Sequence, residues 1–281
     1  MRCIALRWNA AEICGSAASG SRKVIFQNAS QCARNSKPLF RKFRKAAECQ
    51  RFKRISCAAS EPQNTTSWIR LGALGTTLGP CVDAIHNQAL LQYDAFPVSV
   101  EVFGYVAKSS LLIPPLLGIA YIVIGGVLPR FASRLVGTAS ISLLPALKDA
   151  APATRALAAV TTTALIVKGS ELLVVNALPL PALPILFSAA LLQWIALDGA
   201  YSTLALALTL SVLGPISETP FLCLHCWHYI SPDYWPLASV GLGPGSPAGL
   251  AAITGPCYFA VTTDAVALAR WCGVDLRHNK P

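Results

Sequence analysis

The chain has 281 residues, of which 54% are hydrophobic and 13% are charged. Soluble domains carry about a quarter charged residues, so this composition favours a membrane protein. The net charge of +10 is concentrated before Ala58, and because no folded frame surrounds these basic residues we expect no nucleic-acid partner.

Residues 1–57 have the composition of an organelle transit peptide. They are rich in Arg, Lys, Ser and Ala, poor in acids, and without the apolar core of a secretory signal. The run Ile55-Ser56-Cys57-Ala58 is similar to a chloroplast cleavage site. We therefore expect a disordered basic leader that directs the protein to a chloroplast membrane. Mitochondrial import and a basic cytosolic tail are the alternatives.

Six apolar segments follow a polar linker at residues 58–66, and a polar tail at 273–281 ends the chain. Each is about as long as the ~20 residues that cross a bilayer as a helix. No strand-like alternation is evident, so we expect an all-α membrane protein, a bundle of six transmembrane helices. The expected segments are Ser67–Ile85, Ser109–Leu128, Arg155–Val175, Leu180–Leu197, Gly199–Ile216 and Pro247–Ala269.

The second segment is uncharged from Ser109 to Leu128 and could begin as early as Val98. Two adjacent prolines are expected to bend it, and Pro129-Arg130 should end it. Small residues should form a strip on which another helix approaches closely. The prolines are Pro114 and Pro115, and the small residues are Gly118, Gly125 and Gly126.

Basic residues are placed unevenly between the expected segments. The loops at residues 86–97, 176–179 and 218–245 contain no Lys or Arg, whereas the alternate loops and the tail do. Basic residues collect on the side that is not translocated. This pattern predicts six crossings with both termini on the cytosolic or stromal side.

Several polar residues within the segments are candidates for chemistry. Asp83 and His86 could bind a metal or relay a proton, although interfacial hydrogen bonding explains them as well. Lys168 and Glu171 lie three apart and should pair on one helix face. With Asp264 they could instead line a polar path through a small transporter or channel.

A CxxC motif lies between the fifth and sixth segments, at Cys223 and Cys226, with His225 and His228 beside it. Such a motif can bind zinc or support thiol redox chemistry. Cysteines in a loop that leaves the membrane explain it equally. Motifs of common hydrolases and nucleotide-binding enzymes are not found, so we expect a protein that is not an enzyme and has no cofactor.

Three stretches, in order, match one known family. The run from Pro114 to Pro129 fits PPxxGxAxxVIGxxxP, Trp194 and Asp198 form WxxxD, and residues 229–234 read YISPDY. These resemble the second helix, the end of the fourth helix and the last loop of the Insig (insulin-induced gene) family. The resemblance covers residues 67–272 and indicates an organelle-targeted, plant- or algal-type member.

The resemblance implies a six-helix protein that binds an oxysterol among its helices, retains sterol-sensing partners in the endoplasmic reticulum and presents a reductase for degradation. For this chain we expect contact with the bilayer, a sterol- or isoprenoid-like lipid ligand and a partner membrane protein. A plastid membrane scaffold is a further alternative. Trp194 fits an aromatic belt equally well, and Asp198 an interfacial acid. The ligand-binding residues implied are Pro114, Pro115, Gly118 and Trp194, and the partner-binding residues are Asp198, Tyr229, Ser231, Pro232 and Asp233.

Overall fold

The structure is a computed structural model that describes residues 65–86, 89–102, 104–141, 144, 147, 149–176 and 181–276. The expected leader and most of the linker lie outside these residues, as do Lys148 and the end of the tail. Within the described residues the fold is mostly helical. Its helices are α1 (Thr65–His86), α2 (Ile113–Val136), α3 (Pro152–Val175), α4 (Ala182–Leu197), α5 (Tyr201–Ser217), the short α6 (Thr219–Cys223) and α7 (Thr254–Trp271).

Three helices are long and apolar enough to cross a membrane, namely α2, α3 and the continuous stretch Tyr201–Cys223, while α4 is a shorter apolar helix. Large apolar side chains project outward from them, including Ile119 and Leu165, which are 61% and 66% exposed. Soluble monomers seldom expose contiguous apolar surface of this kind. The described helices are therefore consistent with an integral membrane protein in contact with lipid.

Helix α2 departs from expectation at both ends. Pro114 and Pro115 occupy its first turn rather than its interior. A proline is well tolerated there because its missing N–H would have no partner in any case. The helix also continues past Pro129 to Val136 and is capped by Gly137, whose φ is +87°. The irregular part of α2 is instead the π-helical turn Ile122–Val127, where backbone hydrogen bonds span five residues in place of the four of a regular α-helix.

The expected strip of small residues on α2 is confirmed as a packing surface. A Cβ atom added at Gly118 would lie 2.3 Å from the Thr76 hydroxyl oxygen on α1, and one added at Gly125 would lie 2.4 Å from the Ala265 carbonyl oxygen on α7. Gly126 packs in the same way against a tryptophan ring of α1. These contacts let three helix backbones approach closely, as in other membrane bundles.

Helix α7 lies in the middle of the bundle, because residues on every side of it are buried from Thr254 to Ala269. It packs against α1, α2, α3, α4 and α5. A helix that is covered all round has no solvent face for its polar residues. The position of α7 therefore explains why Asp264 is fully buried.

The expectation of no strands is wrong. β1 (Leu91–Tyr93) pairs antiparallel with β4 (Trp227–Tyr229), and β2 (Pro97–Val102) pairs with β3 (Tyr105–Ser110). The hairpin of β2 and β3 occupies the residues proposed as the start of the second span. The alternation of valine with polar residues in PVSVEV is typical of a strand.

The long helices alternate in direction between two ends of the bundle. At the end that we call the arginine end, the Arg130 guanidinium lies over the Trp68 ring of α1, and Arg155 donates to the Leu197 carbonyl oxygen. The opposite, or strand, end carries β1 and β4. Pairing of these two strands brings residues 91–93 beside residues 227–229, which is consistent with placing both of their loops on one side.

Candidate functional site

A cavity of about 250 Å³ lies between the helices near the strand end. Its apolar walls come from α1, α2, α3 and α7, with Val82, Leu116 and Val261 among them. Its polar groups collect where β1, β4 and the junction of α5 and α6 close it. The volume lies just below the roughly 300–1,000 Å³ of small-molecule sites.

The pair of strands β1 and β4 provides the roof of the cavity. Side chains alternate across a strand, and here the outer two residues of each strand point inward while the middle ones are exposed. The exposed His228 lies 2.7 Å from the Asp94 carboxylate, measured from Nδ1 to Oδ2. The inward residues, all of which line the cavity, are Leu91, Tyr93, Trp227 and Tyr229.

Glu218 occupies the one-residue break between α5 and α6 and also lines the cavity. Its carboxylate accepts three hydrogen bonds. The Tyr258 hydroxyl donates to Oε1 at 2.6 Å, the Tyr229 hydroxyl donates to Oε2 at 2.8 Å, and the Trp227 indole N–H donates to Oε2 at 3.3 Å. Residues of β4 and α7 thus fix the carboxylate from two directions.

A second acid, Asp83 near the end of α1, faces the same cavity. The Tyr93 hydroxyl donates to its Oδ2 at 2.5 Å. Burial, followed by the charge of Asp83, raises the pKa of Tyr93 above its usual range. Burial and the charge of Glu218 likewise raise the pKa of Tyr229. Both phenols are therefore neutral hydrogen-bond donors at ordinary pH.

Aromatic rings surround the two acids. Phe221 of α6 stacks on Trp227 with ring centroids 4.9 Å apart, and Tyr93 meets Trp227 edge-on at 6.4 Å. Such rings present electron-rich faces and bury large apolar areas. The site thus combines an apolar interior with an end where two acids and several aromatic rings line the cavity.

Comparison of the chain with protein-family models, with curated proteins and with solved structures finds no match. The site is therefore interpreted from its own geometry.

Three of the four residues implied as ligand contacts lie on α2, a helix that contributes to the cavity wall, and the fourth lies on α4. Pro114 and Pro115 begin α2 and Gly118 packs on α1, whereas other residues of α2 line the cavity. Trp194 is buried in α4, where its indole N–H donates to the Ala200 carbonyl oxygen at 3.0 Å. None of the four is among the lining residues.

Asp198, implied as a partner contact, is turned into the bundle. Its side chain is 4% exposed and pairs with Arg270 at the arginine end. Arg155 lies close enough to interact with both charges. The acid thus connects the end of α4 to the end of α7 within one chain.

The other implied partner contacts divide between inside and outside. Tyr229 is buried in the cavity roof, whereas Ser231 and Asp233 in the segment that follows are exposed. Pro232 is half-buried beside Gly249. Asp233 accepts a hydrogen bond from the Ala252 backbone N–H at 2.7 Å, which fixes the chain just before α7.

The expected pair of Lys168 and Glu171 is confirmed, with Nζ and Oε2 2.5 Å apart. Asp264 is fully buried on α7 near Tyr121 and Thr163, and neither of its carboxyl oxygens has a hydrogen-bond partner among the described residues. None of the acids or bases proposed for a transport path lines the cavity.

The residues considered for metal binding do not form a three-ligand cluster in the part of the chain that the structure describes. Cys223 and Cys226 are both free thiols, and no group of three or more His, Cys, Asp or Glu residues that could hold a metal is present there. Asp83 hydrogen-bonds to Tyr93, while the side chain of His86 lies outside the described residues.

The residues missed by sequence reasoning are Tyr93, Glu218, Trp227 and Tyr258. Tyr93, Glu218 and Trp227 lie in connections that appeared ordinary, and Tyr258 lies in an apolar helix. Pairing of β1 with β4 places Tyr93 beside Trp227, and packing of α7 brings Tyr258 to Glu218. A weak signal was available, because charged residues are sparse in this part of the sequence. Apart from two histidines, the stretch between Arg155 and Asp233 contains four charged residues, which are Lys168, Glu171, Asp198 and Glu218.

Proposed function

We propose that this chain is a six-span, Insig-like integral membrane protein that binds a lipid between its helices and thereby regulates a partner membrane protein. It acts by binding and not by catalysis. The observation that supports the proposal is the inter-helix cavity with apolar walls and one polar end, the form expected of a site for an amphiphilic lipid.

The direction of the helices supports the count of six spans. Each long helix begins at the end of the bundle where the previous one finished, and arginines collect at one end. This agrees with the rule that basic residues stay on the side that is not translocated, with Lys108 of β3, a strand that contacts β1, as an exception. The composition of the leader supports a chloroplast membrane as the proposed location, and the endoplasmic reticulum membrane is the alternative.

Tyr229 offers a route from ligand to partner. Its ring lines the cavity, and two residues later the chain reaches the exposed Ser231 and then Asp233. A lipid that prefers one position of Tyr229 would bias the arrangement of this exposed segment. The regulation can be only as strong as the lipid's preference for one arrangement over the other.

Photo-crosslinking tests the binding site. The purified protein would be labelled with a diazirine sterol and with a diazirine isoprenoid alcohol, each competed by its unlabelled parent. Leu116→Trp should fill the cavity and abolish labelling, whereas Ile119→Trp, on the lipid-facing side of the same helix, should leave it unchanged. Labelling that is absent, or equal in the two variants, would refute the proposal.

A further inference from the structure

We propose that the lipid bound in this cavity carries an ammonium head, which is held by Glu218 among the aromatic side chains of the roof. The inference rests on the proposed function, since it concerns the polar end of the same cavity. The inference adds the chemical class of the lipid's head group, which the apolar walls and the helix arrangement do not specify.

The first step is the hydrogen bonding of Glu218. Both of its oxygens already accept hydrogen bonds, and all three donors are neutral groups. Three donors directed at one carboxyl favour its charged form, whereas burial without a neighbouring cation opposes it. Among the described residues the salt bridges involve other acids, so a cationic head in the cavity would supply the opposite charge that a buried Glu218 carboxylate needs.

The second step is what the polar end offers to a guest. Tyr229, Tyr258 and Trp227 direct their donors at Glu218, and Tyr93 directs its own at Asp83. The described residues lining the cavity include two acids and no Lys, Arg or His. Acidic groups and acceptor lone pairs therefore predominate, and this end would hold a cationic head in preference to a carboxylate or phosphate head.

The third step separates an ammonium head from a hydroxyl head and from a metal ion. A hydroxyl would supply one neutral hydrogen bond, whereas an ammonium also neutralises charge, and in an apolar cavity that attraction is poorly screened. Phe221, Trp227 and Tyr93 all line the cavity, and aromatic rings attract ammonium groups. The described residues hold no cluster suited to a metal.

The test uses four amphiphiles with the same saturated tail and different heads, namely a primary amine, a trimethylammonium, an alcohol and a carboxylate. Binding to the unmodified protein in micelles would be measured by displacement of the diazirine probe. We expect one or both ammonium heads to bind about tenfold more tightly than the alcohol, and the carboxylate to bind most weakly. A primary amine ahead of trimethylammonium would assign the attraction to hydrogen bonding, and the reverse order to the rings.

Glu218→Gln should remove the preference for ammonium and leave binding of the alcohol within about threefold, since one charge is lost while the shape is kept. Glu101→Gln is the matched control, because Glu101 is exposed in β2 and does not line the cavity. Alcohol or carboxylate binding as tightly as the amines, with continued sensitivity to Leu116→Trp, would overturn this inference and leave the proposed function standing. Failure of every head to displace a probe whose labelling is abolished by Leu116→Trp would also overturn this inference alone, whereas absent labelling, or labelling equal in Leu116→Trp and Ile119→Trp, would overturn both.

Discussion

The ion pair of Asp198 and Arg270 allows a test that separates a structural role from a partner contact. The Asp198 side chain is 4% exposed and that of Arg270 is 31% exposed, so the two ends of the pair are solvated unequally. Asp198→Asn leaves an arginine that can still reach water, and we expect it to cost about 1 kcal/mol. Arg270→Gln leaves a buried charge, and we expect it to cost about 3 kcal/mol.

That value lies at the lower end of the range for breaking a buried pair, because Arg155 remains near Asp198. The double variant should be more stable than Arg270→Gln alone, since no uncompensated acid is left. The free energy of unfolding would be measured in mixed micelles by denaturant titration, with the exposed Arg134→Gln as a control for loss of one arginine. A larger cost for Asp198→Asn than for Arg270→Gln, or strict additivity of the two changes, would refute this reasoning.

Two further predictions concern helix packing and pH. Gly125→Val should destabilise the bundle by about 1–3 kcal/mol or more, because the new Cβ would meet the Ala265 backbone, whereas Gly243→Ala should change thermal stability little, since its Cβ has ordinary room. Equal melting temperatures of the two variants would contradict this. Tyr93 and Tyr229 should stay protonated above pH 10, where free phenols ionise. Because these pKa values are raised in the folded state, the resulting contribution to the free energy of unfolding is complete below about pH 10 and falls as pH rises further. Ultraviolet titration should show both phenols ionising late or together with unfolding. Early ionisation of all tyrosines would count against the buried roof.

Much of the helical arrangement could be predicted from the sequence, because it depends on local properties of the chain. Apolar length places the helices, and glycines such as Gly118 and Gly125 mark where backbones meet. The pairing of Lys168 with Glu171 follows from helical spacing alone. The predicted bend at Pro114 was wrong, because the effect of a proline depends on its position in the helix, and Pro114 lies in the first turn of α2.

The polar end of the cavity depends on contacts distant in sequence. Glu218 meets Tyr258, forty residues away, and Tyr93 enters the same roof only because β1 pairs with β4. Three-residue strands carry too little alternation to be recognised locally. The chain's composition and spacing thus determine that it is helical, apolar and closely packed, while only the tertiary structure decides which acids and rings share one cavity, because that choice is made by pairing between separate segments.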